Sequence, residues 1–168
     1  SGAAGSIQLL AGGRLDGFED FNTSADDNDT YYLEASGDNF PLLINGGQFY
    51  GRNKLVLRGT VSISQNGGFA EYLKNEGTIK IDSTSFDIHQ NFINLPSGII
   101  ELSGTNSSIT TSYRTGFTNQ GTIRKADSGN AKISGMTFHQ SHDANSTTNP
   151  NILVQDGEIR LENISGGS

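Results

Sequence analysis

Cysteine and tryptophan are missing from this 168-residue chain, and proline occurs only three times. Without thiols there can be no disulfide, no thiolate metal site and no cysteine nucleophile. Basic charge is scarce: Lys and Arg total 11 against 18 Asp and Glu, a net charge of −7. A surface of that sign repels phosphate backbones, and no basic cluster interleaved with aromatics offsets it. Nucleic acid and anionic membrane surfaces are therefore disfavoured as partners. No run of about 18 apolar residues occurs, so membrane insertion is not expected. No Gly-x-Ser-x-Gly elbow, phosphate loop or dinucleotide fingerprint occurs, and no cofactor is expected. Helical periodicity is also lacking; the nearest candidate, residues 67–77, is short and bounded by glycine.

Glycine is abundant instead, at 22 residues, alongside many Asn, Ser and Thr. The apolar 33% is dispersed in short alternating runs such as Lys54–Arg58, Thr60–Ser64, Thr78–Asp82 and Phe86–Ile88. Period-2 runs punctuated by Gly, Asn and Ser are the mark of β-strands and turns, and they argue against disorder. The length fits a single domain with a core. "SGAAGS" at the start and "SGGS" at the end read as linker-like ends around it.

The strands repeat. Four stretches, "NEGTIKID", "SGIIELSG", "NQGTIRKA" and "QDGEIRLE", align on Gly77, Gly98, Gly121 and Gly157, which are 21, 23 and 36 residues apart. A period in the low twenties signals a solenoid, and the long last interval contains the polar stretch 139–150. Two places after the glycines stand Ile79, Ile100, Ile123 and Ile159; four places after stand Ile81, Leu102, Lys125 and Leu161. Between them lie Lys80, Glu101, Arg124 and Arg160. Alternate residues of a strand face opposite ways, so the aliphatics form a core column and the charges an outer ladder, with Lys125 the one breach. Asn75, Asn94 and Asn119 precede the first three glycines, suited to a left-handed turn and to amide bonding between coils.

From about Ile44 to Leu161 the chain resembles the right-handed β-helix of microbial cell-surface adhesins. The resemblance is carried by "INGGQFYGRNKLVLRGTVSIS", "FINLPSGIIELSG", "FTNQGTIRK" and the closing "ILVQDGEIRLEN". It comes nearest to the fungal hyphally regulated cell-wall protein type, and bacterial secreted β-helix adhesins share much of the pattern. The chain departs from the fungal type in having no cysteine and no small β lobe after the closing coil. The expected fold is an all-β, right-handed parallel β-helix of about six or seven coils. Residues 1–40 are expected to form an irregular N-terminal cap and lead-in, residues 41–165 the coils.

Chemistry-bearing candidates are few. Asp82, Asp87 and Glu101 could cluster as general acid and base on a glycan, or be outward charges that keep a β surface soluble. "DDND" at 26–29 and "GGRLDGFED" at 12–20 lack the spacing of a calcium loop and read as acidic loops, so no metal is expected. His139 and His142, with Asp143, sit in a polar loop without a third ligand. Sequons stand at Asn22, Asn28, Asn106, Asn145 and Asn163. Tyr31, Tyr32, Tyr50 and Tyr113 lie among amides and acids, a composition that grips sugars by stacking and hydrogen bonding. With Asn106, His139 and His142 in the polar loops 105–116 and 139–150, they form the candidate ligand-binding set.

The resemblance implies a non-enzymatic adhesion module or its stalk, outside the cell at a surface or wall, contacting glycans or a host or abiotic surface as a monomer. A polysaccharide lyase or hydrolase, and a ligand-free structural scaffold, are the alternatives.

Overall fold

The computed structural model of the protein describes residues 7–10, 14–18, 30–35, 42–46, 48–51, 54–69, 72–111, 115–141 and 151–165; for residues 7–42, 45, 48–54 and 69 it describes the backbone path alone. The chain is an all-β parallel solenoid with three faces, each a stack of parallel strands. Face I holds β3 (Thr30–Ala35), β8 (Tyr72–Asn75), β11 (Phe92–Asn94), β14 (Gly116–Asn119) and β17 (Thr137–Gln140). Face II holds β1 (Ile7–Leu10), β4 (Leu42–Asn45), β9 (Thr78–Asp82), β12 (Ile99–Ser103), β15 (Thr122–Lys125) and β18 (Asn151–Val154). Face III holds β2 (Arg14–Phe18), β5 (Gln48–Gly51), β7 (Gly67–Phe69), β10 (Ser85–Ile88), β13 (Ser107–Thr110), β16 (Asn130–Ser134) and β19 (Glu158–Glu162). β6 (Lys54–Gln65) is a single strand of 12 residues that runs through faces I and II.

Four turns repeat in full, β8 to β19, where the repeat spacing suggested six or seven coils. The preceding strands extend the same sheets without repeating that unit: β6 joins two faces, and the registers of β4 on β6 and of β2 on β5 each shift by a bulge. Within residues 1–40, expected as an irregular cap, β1, β2 and β3 pair in parallel with β4, β5 and β6.

The core follows the expected columns. Ile79, Ile100 and Ile123 are paired in register on face II and wholly buried. Burying each side chain contributes roughly 1.5–3 kcal/mol. The fourth member of the column differs from expectation: it is Ile152, paired with Ile123, whereas Ile159 lies on face III beside Ala131. Gly157 explains the slip. It turns the corner from face II to face III with φ +79°, and a Cβ there would stand 2.6 Å from the Asp127 carbonyl oxygen. Gly77, Gly98 and Gly121 turn the other corner, from face I to face II. Glycine stands at both corners, which is why the four stretches look alike.

On face I, Leu73, Phe92, Phe117 and Phe138 share a column. The rings of Phe92 and Phe117 stack at 4.8 Å and 12°, while Phe138 meets Phe117 edge-on at 5.2 Å. Phe86 of face III closes on Phe92 at 5.8 Å, joining the faces across the interior.

At the first corner the asparagines form a ladder. Nδ2 of Asn75 donates to Oδ1 of Asn94 (2.8 Å), Asn94 donates to Asn119 (2.8 Å), and Asn119 donates to Oε1 of Gln140 (3.0 Å). The amides also donate to the carbonyls of Gly77, Gly98 and Gly121, so each caps its own turn. The expected left-handed backbone is not used there; the non-glycine residues with positive φ, among those described, are Ser83, Asn106 and Asn163. The asparagines end strands, and the turn's demands fall on the glycines. At Gly98 a Cβ would lie 2.5 Å from the Asn75 carbonyl oxygen.

Candidate functional site: a polar groove on the third face

Outward positions on face II carry the expected charge ladder. Lys80, Glu101 and Arg124 are in register, and both Nε and Nη2 of Arg124 donate to Glu101 Oε2, the former at 3.1 Å. Arg58 and Glu76 form a similar pair at 2.7 Å. Such half-buried surface pairs, still in reach of water, contribute about 0–1 kcal/mol each.

The carboxylates considered as a catalytic set are divided. Asp82 and Glu101 lie on neighbouring strands of face II, while Asp87 lies on face III. Glu101 is held by Arg124, Asp87 meets His89 Nε2 at 3.1 Å, and Asp82 accepts from the Ser83 hydroxyl at 3.2 Å.

The ligand-binding candidates are also dispersed. Tyr31 and Tyr32 occupy successive register positions at the N-terminal end of face I, beside Leu55 and Val56. Tyr50 is on β5 of face III. His139 is exposed on β17, at the other end of face I, in the same column as Tyr32. That is five strand spacings away, roughly 24 Å. Tyr113, His142 and most of the 139–150 loop lie outside the described residues, as do Asn22, Asn28 and Asn145. Of the candidates whose side chains are described, Asn106 lines a concavity.

That concavity is a groove of ≈ 260 Å³ over the corner between faces II and III, lined by Asn106, Ser107, Ser108, Asn130, Ala131, Lys132, Arg160 and Glu162. Three successive turns build it. Asn106, with φ 66°, stands exposed at the corner before β13, and its N–H donates to the Asn130 carbonyl oxygen at 2.9 Å. Ser107 points inward: its hydroxyl donates to the Ile81 carbonyl (3.1 Å) and accepts from the Ser83 N–H (3.0 Å), so it pins the corner. Lys132 and Arg160 stand in one register column, with Ser108 before them.

Charges of both signs meet there. Lys132 Nζ lies 3.8 Å from Glu162, and Arg160 Nε donates to Glu158 at 2.8 Å. The bond from Arg160 holds the Glu158 carboxyl below the usual range, and Glu158 raises the Arg160 guanidinium in turn. A carboxyl pulled in that direction stays ionised, the opposite of what a general acid needs. Among the described residues no cluster of three or more His, Asp or Glu is placed to hold a metal.

Lys132, Arg160 and Glu162 were not singled out in the sequence as ligand contacts. Lys132 and Glu162 belong to no repeat, Arg160 reads as a fourth member of the outer charge ladder, and their convergence depends on which corner Gly157 turns. The signal that could have found them is the alternation in "NAKIS" and "EIRLE", which puts Lys132 and Arg160 on outward positions of neighbouring strands of face III.

The fold and groove define a three-faced parallel β-solenoid bearing a shallow, mixed-charge polar cleft. Comparisons with protein families, with curated proteins and with solved structures found no match for this chain.

Proposed function

We propose that this solenoid is a non-enzymatic binding module of the cell-surface adhesin kind, exposed outside the cell, that contacts glycan through the groove on face III. The observation that carries this reading is the groove's lining: a side-chain amide (Asn106), a hydroxyl (Ser108), two cations and a carboxylate converge on ≈ 260 Å³ of concave surface. Donors and acceptors interspersed at that scale suit sugar hydroxyls, and Lys132 with Arg160 favours a sugar acid over a neutral one. The groove is smaller than pockets that enclose a ligand, so it grips part of a chain from the side, as adhesion to a polymer requires. The rigid stack supplies preorganisation, since the three contributing turns are fixed to one another by parallel pairing.

The test is a glycan array spanning neutral and uronic-acid polymers, followed by titration of hits against Asn106→Ala and Arg160→Ala. Losing a hydrogen bond to a charged group costs about 1.5–3 kcal/mol, so Arg160→Ala should weaken binding by about 10- to 100-fold. Turnover of any polymer, read as new reducing ends or unsaturated product, would refute the non-enzymatic reading. A flat array would refute the glycan.

A further inference from the structure

The charges of the groove are unevenly placed. Across β10, β13, β16 and β19 one outward column of face III runs Ser85, Ser108, Lys132, Arg160. The column beside it runs Asp87, Thr110, Ser134, Glu162, and on the corner side Asn130 is paired with Glu158. Lys132 and Arg160 thus take adjacent places in one column, about 4.8 Å apart. Neither flanking column carries a Lys or Arg at these positions.

Neither cation is fully engaged by its carboxylate. Lys132 Nζ stands 3.8 Å from Glu162 Oε2, beyond hydrogen-bond reach. Arg160 donates to Glu158 from Nε, a bond that does not use the two terminal nitrogens of the guanidinium fork. All four side chains are close to half exposed, so an incoming anion reaches the cations without breaking a buried pair. An anionic group set on the two cations gains charge-assisted bonds from both, the strongest polar contact the groove can make. Its neighbours along a polymer find no second such place. Toward the corner they meet Glu158, along the strands Glu162, and toward β10 they meet Ser108 and Ser85 with Asp87 alongside. Hydroxyls, amides and carboxylates all bond the hydroxyls of a neutral sugar. A second acid meets like charge instead, on a chain whose net charge is −7.

We infer, building on the glycan reading of the groove, that it selects a polysaccharide whose acidic residues are sparse: one sugar acid among neutral sugars, in preference to a uniformly acidic polymer. Lys132 and Arg160 together hold the one acid. Glu158 and Glu162 determine specificity by turning the second away, since a repulsive group aimed at the wrong ligand discriminates as well as an attractive one aimed at the right.

The experiment is calorimetric titration of the full chain with three β-1,4-linked tetramers that differ only in charge: all glucose, three glucose with one glucuronic acid, and all glucuronic acid. The single-acid tetramer should bind tightest, and its lead over the neutral one should shrink at high salt. Lys132→Gln and Arg160→Gln should each weaken the single-acid tetramer about tenfold or more and leave the neutral one nearly unchanged. The double variant should lose less than the product of the two, because both cations hold the same group. Glu158→Gln and Glu162→Gln should each narrow the preference for the single-acid over the all-acid tetramer by about 2- to 5-fold. An all-acid tetramer that binds tightest overturns the inference and leaves the glycan groove standing. So does equal binding of the neutral and single-acid tetramers, or a preference that both glutamate variants leave unmoved. If none of the three binds, the glycan reading falls and this inference with it. Circular dichroism melts of the variants, matched to wild type, separate lost binding from lost folding.

Discussion

The side chains of Asn94 and Asn119 are fully buried, and the amide of one donates to the carbonyl oxygen of the other at 2.8 Å. Asn94 also accepts from Asn75 and donates to the Gly98 and Thr122 carbonyls, at 3.2 and 3.3 Å. It is thus the central rung of a ladder that closes the first corner of three turns.

Asn94→Ala should therefore cost more than a single hydrogen bond. It strips the buried Asn119 side-chain oxygen of its donor and takes from the Asn75 amide one of three acceptors, the Gly77 and Ile99 carbonyls remaining. An unsatisfied buried polar group costs about 1–3 kcal/mol, and the lost Asn75 bond adds about 0.5–1.5 kcal/mol. Urea unfolding of wild type, Asn94→Ala and Asn75→Ala would check it. Asn75 ends the ladder, since Leu57 takes its place one strand earlier, and its removal should cost less. Equal losses would mean that the rungs act singly.

What could be read from the sequence was what repeats. The Ile79, Ile100 and Ile123 column, the Lys80, Glu101 and Arg124 ladder and the bonding of Asn75 to Asn94 to Asn119 follow from period-2 alternation within a period in the low twenties. The same likeness misleads at the fourth repeat. Gly77 and Gly157 look alike because any solenoid corner that brings backbones close wants glycine, and a local motif does not say which corner it is. "NILV", the true continuation of face II, has no glycine before it. The groove was nearly invisible for the complementary reason: Asn106, Lys132 and Arg160 converge through three turns and share no motif.

The aromatic column offers a graded test. Phe117 is sandwiched between Phe92 and Phe138, whereas Phe138 has an aromatic partner on one side among the described residues. Phe→Ala in a core costs about 3–5 kcal/mol, and each aromatic pair adds about 0.5–1.5 kcal/mol beyond area. Phe117→Ala should therefore lower stability more than Phe138→Ala, by roughly one such pair. Glu101→Ala, which removes a half-buried ion pair at the surface, should lower the unfolding free energy by less than about 1 kcal/mol. If Glu101→Ala matched Phe117→Ala, the division into apolar core and solvated ladder would be wrong.

Lys125 breaks the aliphatic column of Ile81 and Leu102 and is nevertheless 0% exposed. Its ammonium donates to the Gly104 carbonyl oxygen at 3.0 Å and pairs with Asp127, whose other carboxylate oxygen accepts from the Gly104 N–H. Removing one partner of a buried pair costs about 3–5 kcal/mol; because Asp127 is 43% exposed and water can partly replace it, Asp127→Ala should fall near the lower figure. Lys125→Met keeps the volume and discards the charge, and should be neutral or stabilising by about 1–4 kcal/mol. The pH dependence has a definite sign. Burial lowers the Lys125 pKa from 10.5, against the attraction of Asp156 and Asp82. Below the folded value both states hold the proton, and the folded one bears the full cost of a buried ammonium. Between the folded value and 10.5 the unfolded chain binds more protons, so stability rises with pH there. Unfolding of wild type and Lys125→Met across the alkaline range should show the gap between them narrowing as pH increases; a gap that widens would place the ammonium in a site that favours its charge.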